Sequence, residues 1–259
     1  MKSLKLWFNN YLAVWVLPIV IVLLWQLVVQ FGIVPKRMLP LPTDVLNAAL
    51  KLLNSGVLVE HVAISAQRAL SGLLIGGGIA FGLGLINGMF VPSEKTLDST
   101  IQMIRTVPNI ALTPLVILWF GIGETSRIFL ISLGVFFPIY LNTFHGVRHI
   151  DRSLIEMGCS YGLSRWGLFI QIILPGALPS ILVGLRYSLG IMWLTLIVAE
   201  TIAANSGIGF MTSSAREFMQ TDIMFFAVIL YALLGKLADV TARGLERLLL
   251  QWHPNYRTT

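Results

Sequence analysis

EMGCSYGLSRWGLFIQIILP, residues 156–175, is the stretch whose reading decides what kind of molecule this is. It is polar and punctuated by glycine, and it lies between two long apolar runs. Its residues fit the pattern E-x-x-x-x-x-G-x9-I-x-L-P, with Glu156, Gly162, Ile172, Leu174 and Pro175 at the fixed positions. Gly162 supplies a positive-φ turn between two short helices, a conformation that a side chain opposes. Glu156 offers a carboxylate to a partner surface or to its own helix. Leu174-Pro175 is expected to end the second short helix, and Pro179 to open the following apolar span in its first turn. An ordinary loop can have a Gly turn and a Pro stop, but a match at five positions with fixed gaps goes further.

Outward from that segment the chain is apolar. Of its 259 residues 56% are hydrophobic and only 12% are charged, against about 25% charged in soluble domains. The apolar material falls in runs near the ~20 residues that cross a bilayer. We expect an all-α membrane protein with about six spans, at 11–31, 62–91, 108–122, 125–147, 179–203 and 222–249. The third is short and interrupted by Pro108 and Pro114, so it is expected to pack inside the bundle, where neighbours satisfy the freed carbonyls. Between the first two spans, Met38-Leu39-Pro40-Leu41-Pro42 leads to Thr43, an expected N-cap, and an amphipathic stretch from Asp44 to Leu53. That stretch reads either as an interfacial helix or as one packed on the bundle. Three regions follow: 1–60, an N-terminal span with an extracytoplasmic interfacial segment; 61–250, a core holding the polar loop 151–175; and 251–259, a tail.

The net charge of +6 does not point to nucleic acid, because no basic stripe interleaved with aromatics is present. It fits a positive-inside bias. With the N-terminus inside, eleven basic groups (Lys2, Lys5, Lys95, Arg105, Arg148, Arg152, Arg165, Lys236, Arg243, Arg247 and Arg257) fall on the cytoplasmic side. Five (Lys36, Arg37, Lys51, Arg127 and Arg216) fall outside. Arg68 and Arg186 lie within or near spans and are left out of that count. Both termini are therefore expected to be cytoplasmic, as is the 156–175 segment. The single cysteine, Cys159, excludes an internal disulfide. The run 11–31 is too long for a signal-peptide core and reads as a retained span.

Gly72, Gly76, Ala80, Gly84 and Gly88 recur every fourth residue and form a small-residue stripe for close helix packing. Gly78 and Gly82 are expected to widen it. No G-x-x-x-x-G-K-[ST] phosphate loop occurs, so no nucleotide chemistry is expected of this chain. His145 and His149 stand four apart, but with no further ligand a metal site is not expected. Trp15, Trp25 and Trp252 fit interfacial belts. Within the spans, Glu200 is either a gate residue near the outer end or a carboxylate satisfied by a neighbouring helix. Asn205-Ser206-Gly207-Ile208-Gly209 reads as a flexible turn of that gate. Asn142 and Thr143 line a path or make helix contacts. Lys236, Asp239 and Arg243 share a face of the last span and are expected either to form an ion pair at the cytoplasmic end or to border the inner mouth.

The Glu156–Pro175 spacing resembles the cytoplasmic coupling loop (the EAA loop) of bacterial ABC-importer permeases, where a short helical element docks on a separate ATPase subunit. Met157 and Gly158 stand where that family has two alanines. Gly158 lowers helix propensity by about 1 kcal/mol relative to Ala, so a looser dock is expected. The stretches IRTVPNIALTPLVILWFGIGE (104–124), FPIYLNTFHGVRHID (137–151) and LGIMWLTLIVAETIAANSGIGF (189–210) are similar to the permeases for sulfonates, taurine and nitrate. The similarity is greatest to the aliphatic sulfonate permeases and runs along nearly the whole chain.

This resemblance implies a type I ABC-importer permease fold in a bacterial inner membrane. It also implies a homodimer around a central path, two ATP-binding subunits that hold ATP and Mg, and an extracytoplasmic sulfonate-binding protein. Coupling would fall to Glu156, Met157, Gly158, Gly162, Ile172, Leu174 and Pro175. Glu200, Asn142, Asn205 and Gly207 are the path or gate candidates. The chain itself is expected to have no catalytic residues, cofactor or metal. The same machinery for taurine or nitrate is the alternative. An ion-coupled carrier would need inverted repeats and charged groups near the midplane, and an intramembrane enzyme a clustered reactive set. Neither pattern is seen.

Overall fold

A computed structural model describes the backbone of residues 2–253 and the side chains of all of these except 2–15, 91, 94, 95 and 203. The side chains of Lys2, Lys5, Trp15 and Lys95, and the tail beyond His253 with Arg257, lie outside the described residues. The chain is helical from end to end. A long α1 (Lys2–Gln30) leads to α2 (Pro42–Asn54) and to α3 (Val57–Met89), after which the short α4 (Val91–Ser93) and α5 (Ser99–Arg105) flank a π turn. Then come α6 (Thr113–Phe120), α7 (Glu124–Arg148), α8 (Arg152–Ser160), α9 (Arg165–Leu168), α10 (Leu174–Ala203), α11 (Ile208–Glu217) and α12 (Thr221–Leu249).

The centre of the bundle is α7, held between α3 and α10. Ala69, Ile131, Val135, Met192 and Leu196 fill the space where the three meet. The close approach of α3 comes from its small residues. A Cβ on Gly76 would stand 2.5 Å from the Cα of Ser132, and one on Gly72, Gly84 or Gly88 would stand 2.7 Å from Cβ of Ile131, Thr143 or Val147. Ala80 is fully buried in the same row. Gly78 and Gly82 are not part of it, since a Cβ on either would meet nothing within 4 Å. At about 100° per residue a step of two swings halfway round the helix. Gly77 joins the stripe instead, against Ile139.

Three further expectations change. The third span is not one helix: a 3-10 turn, Asn109–Leu112, and the eight residues of α6 follow α5 at a 90° bend. Eight residues rise only about 12 Å, so α6 cannot cross alone. Among the described residues four helices are long and apolar enough to cross, five with the pair Thr96–Arg105 and Asn109–Phe120, against the six expected. That pair is a broken span or a re-entrant loop. Nor does it pack inside the bundle. Of α6 only Thr113 and Val116 are buried, and Leu118 and Trp119 stand out from the chain.

Second, Leu174-Pro175 ends nothing. The α9 helix, a π turn at Phe169–Ile173 and α10 run on as one helix from Arg165 to Ile202. Pro175 stands in its path directly after the π turn, where the Leu174 amide already donates to the Phe169 carbonyl and the helix is wider. Pro179 lies inside the same helix. Third, α2 begins at Pro42, with Leu41 at the N-cap and no side-chain cap, so Thr43 is already helical. Proline at the first position sacrifices no bond. Val45 and Ala48 are the buried face of α2, and Val45 packs with Ile208, Met211, Phe226 and Ala227 of α11 and α12. The Trp25 indole donates to the Pro40 carbonyl at 2.9 Å and meets the Phe225 ring.

Candidate functional site

The 156–175 segment is an elbow between two capped helices. Asp151 caps α8 by accepting from the Ser153 amide at 2.9 Å, and this bond holds its carboxyl below the ordinary carboxylate range. At the other end, Leu163 N donates to the Gly158 carbonyl at 3.1 Å and Gly162 N to Cys159 at 2.9 Å. Gly162 has φ +79°, the left-handed turn that such a stop requires. Ser164 then caps α9, accepting from Gly167 N at 3.1 Å.

Gly158 is the pivot of this corner. It is buried, and a Cβ there would lie 2.5 Å from Ile172 Cδ1 and 2.6 Å from Leu168 Cδ2. The missing alanine therefore tightens the elbow rather than loosening it, because α8 lies directly on the π turn. The faces turned outward are Glu156, Met157, Cys159, Leu154, Tyr161 and Trp166, with Tyr161 81% exposed. The Glu156 carboxylate makes no hydrogen bond or ion pair among the described residues; only its carbonyl accepts, from Ser160 Oγ. Leu174 and Pro175 open α10 behind the corner.

At the opposite end of the bundle two charges are enclosed and a third, Glu124, is half exposed. Glu200 is 1% exposed and Arg68 3%. Arg68 Nη1 donates to Glu200 at 2.7 Å and to the Ser206 carbonyl at 2.6 Å, while Nε and Nη2 grip Glu124 at 2.7 and 2.6 Å. Glu200 also accepts from Ser65 Oγ at 2.8 Å and from Gly209 N at 2.8 Å. The backbone of Gly207, at φ +105°, donates to His61 Nδ1 at 3.1 Å, and a Cβ there would stand 2.6 Å from the Glu200 carboxylate. One guanidinium thus ties α3, α7, α10 and the loop before α11 into a knot.

Of the predicted gate residues, Glu200 and Gly207 meet in this knot, whereas Asn205 is exposed beside it. Asn142 is elsewhere: its amide donates to the Pro138 carbonyl at 2.8 Å and its Cβ abuts Gly184. Thr143 is buried against Gly84. Both make helix contacts. Arg127, counted above as an outer-loop charge, is a buried partner of Glu124 at 2.6 Å. Sequence reading missed Arg68 and Glu124, although an arginine inside an apolar span is itself the signal. It also missed Arg186, whose Nε donates to Asp239 at 2.9 Å, while Arg243 and Lys236 approach Asp239 along α12.

Residues 72–251 match the family described as binding-protein-dependent transport system inner membrane component. The chain is 59% identical over 244 residues to the aliphatic sulfonates transport permease protein SsuC of Escherichia coli (strain K12), covering 94% of this chain and 93% of that one. It is 45% identical to SsuC of Bacillus subtilis (strain 168), covering 93% and 87%. With the taurine transport system permease protein TauC of E. coli (strain K12) it shares 37%, covering 90% and 87%. Among solved structures, a chain of the MetNI methionine ABC transporter superposes with a TM-score of 0.53 at 19% identity, covering 76% of this chain and 98% of that one, a likeness of fold. The helical bundle, its exposed elbow and these matches place the chain in one family: it is a binding-protein-dependent transport system inner membrane component.

Proposed function

We propose that this chain is the membrane-spanning subunit of an ATP-driven importer of aliphatic sulfonates, working by alternating access. The observation that carries the cargo is the ranking of relatives: 59% identity to a sulfonate permease against 37% to the taurine permease of the same organism. Two copies line a central path, with two ATP-binding subunits below and a sulfonate-binding protein above. ATP and Mg are held by the ATP-binding subunits, and this chain does no bond-making chemistry. The elbow at Glu156–Pro175 is the dock. Its outer face, where Leu154, Met157, Tyr161 and Trp166 are exposed and the Glu156 carboxylate has no partner among the described residues, supports that role.

Both termini and the elbow lie in the cytoplasm. In support, His253 lines the same cleft as His149, Asp151 and Leu154, which puts the end of α12 beside the elbow. The knot around Arg68 then sits at the extracytoplasmic end and closes it.

Proteoliposomes holding the full complex test the proposal. ATP on the elbow side, with the binding protein on the other, should drive uptake of a labelled short alkanesulfonate. Uptake by this chain without any ATPase would overturn it in favour of an ion-coupled carrier. Uptake of taurine or nitrate with no sulfonate uptake would leave the machinery standing and overturn the cargo.

A further inference from the structure

A second cluster of charge lies part-way down the bundle, well away from the knot. Arg186 projects from α10 into a cleft of about 470 Å³ shared with Val183, Tyr187, Gly190, Gly235 and Asp239. Two residues before it, Gly184 packs on Asn142 of α7. Asn142 is some six residues from the end of that helix at Arg148, or about 9 Å along its axis. On the proposed orientation Arg186 therefore stands about 12 Å in from the cytoplasmic end of α7, yet its side chain is 43% exposed in the single chain. A charge at that depth faces a water-filled space rather than lipid.

The local chemistry selects an anion. Arg186, Lys236 and Arg243 gather around Asp239 and Glu246, so three cations meet two carboxylates and one positive charge is left over. Asp239 holds Arg186 by Nε alone, at 2.9 Å. Nη1 lies 3.9 Å from Glu246, beyond hydrogen-bond reach, so neither Nη group has a hydrogen-bond partner among the described residues. Those paired donors form the fork that suits two oxygens of a tetrahedral oxyanion. One turn further along each helix the wall is bare: a Cβ on Gly190 or Gly235 would meet nothing within 4 Å.

We propose that Arg186, tethered by Asp239 and flanked by Tyr187, is an anion site on the translocation path that takes the sulfonate head group in transit. The site rests on the sulfonate reading above and adds a substrate-contacting residue to it. The tether keeps the site weak, since Asp239 competes with the passing anion for the same guanidinium. A path needs sites that release what they bind.

Two measurements on the reconstituted complex test this. With Arg186→Gln, ATP-dependent uptake of labelled ethanesulfonate should fall about tenfold or more while the ATPase subunit still co-purifies, and Arg186→Lys, which keeps the charge but not the fork, should recover part of it. Wild-type uptake from the glutamine variant overturns the site and leaves the importer reading intact. No ethanesulfonate uptake by the wild type overturns that reading instead.

A variant that fails to assemble is covered by the second measurement, made with the arginine in place. In a Cys159→Ser background, Gly190→Cys should react several-fold faster with a sulfonate-bearing methanethiosulfonate than with its trimethylammonium counterpart, because the local field concentrates anions. Ethanesulfonate should slow that reaction. No reaction with either reagent, or a preference for the cationic one, overturns the proposal.

Discussion

The two ends of the bundle handle charge in opposite ways. At one end Arg68 and Glu200 are buried and saturated, with hydrogen bonds drawn from three helices and a loop. At the other, Glu156 and the aromatic rings of the elbow stand open, and the only charged cap, Asp151, serves its own helix. Buried charge is costly unless it is fully paired, so the first end is a closed piece of internal structure. An exposed apolar corner is costly in a different sense, because it invites partners. One end is finished within the chain, and the other keeps the exposed face that the proposed function assigns to a second polypeptide.

The sharpest way to break this contrast is at the knot. Arg68→Ala strands Glu200 in a buried site without its counter-charge, and we expect a loss of about 3–5 kcal/mol, read as a lower unfolding temperature in detergent. A variant as stable as the parent would mean the knot is decoration. Next in size is the stripe between the ends. Gly76→Val drives a side chain into the Ser132 backbone and should cost about 1–3 kcal/mol, whereas Gly78→Ala, on the open face, should gain up to about 1 kcal/mol. Equal effects from the two would erase the distinction drawn between those glycines.

At the elbow the expected signature is different in kind. Gly162→Val forces a β-branched residue into the left-handed region, a strain of about 1–2 kcal/mol. It should abolish co-purification of the ATPase while the bundle melts near the parent temperature. A variant that still docked normally would move the dock elsewhere. The smallest effect concerns pH. Because the Ser153 amide depresses the folded-state pKa of Asp151, its contribution is present above the ordinary carboxylate range and is lost only as pH falls through the lowered value. Docking should therefore be flat through this group between about pH 5 and 8, checked by ATPase co-purification across that window. A drop within it would exclude Asp151 as the cause.

These cases also mark what could be read without coordinates. The long apolar runs and the elbow were legible because hydropathy and a fixed-gap motif are local signals. The angular position of Gly78 and Gly82 was legible too, had the 100° step been applied. The bent pair was half legible: Pro108 and Pro114 announced it, but a window average cannot convey a 90° bend. Pro175 misled because a rule made for soluble helices treats proline as a stop, while a π turn lets this helix pass through it. The knot was hidden by distance along the chain. Arg68 and its two carboxylates lie 56 and 132 residues apart in sequence, and nothing local pairs them.

That uninterrupted helix has a mechanical consequence. Its 38 residues run from Arg165 beside the elbow to Ile202, just past Glu200, a strut of roughly 57 Å. Whatever pushes on the elbow leans on the same beam that carries the carboxylate gripped by Arg68. A tilt at the foot would travel toward Glu200 along one helix, and the π turn at Phe169–Ile173 with Pro175 and Pro179 marks where that beam can bend.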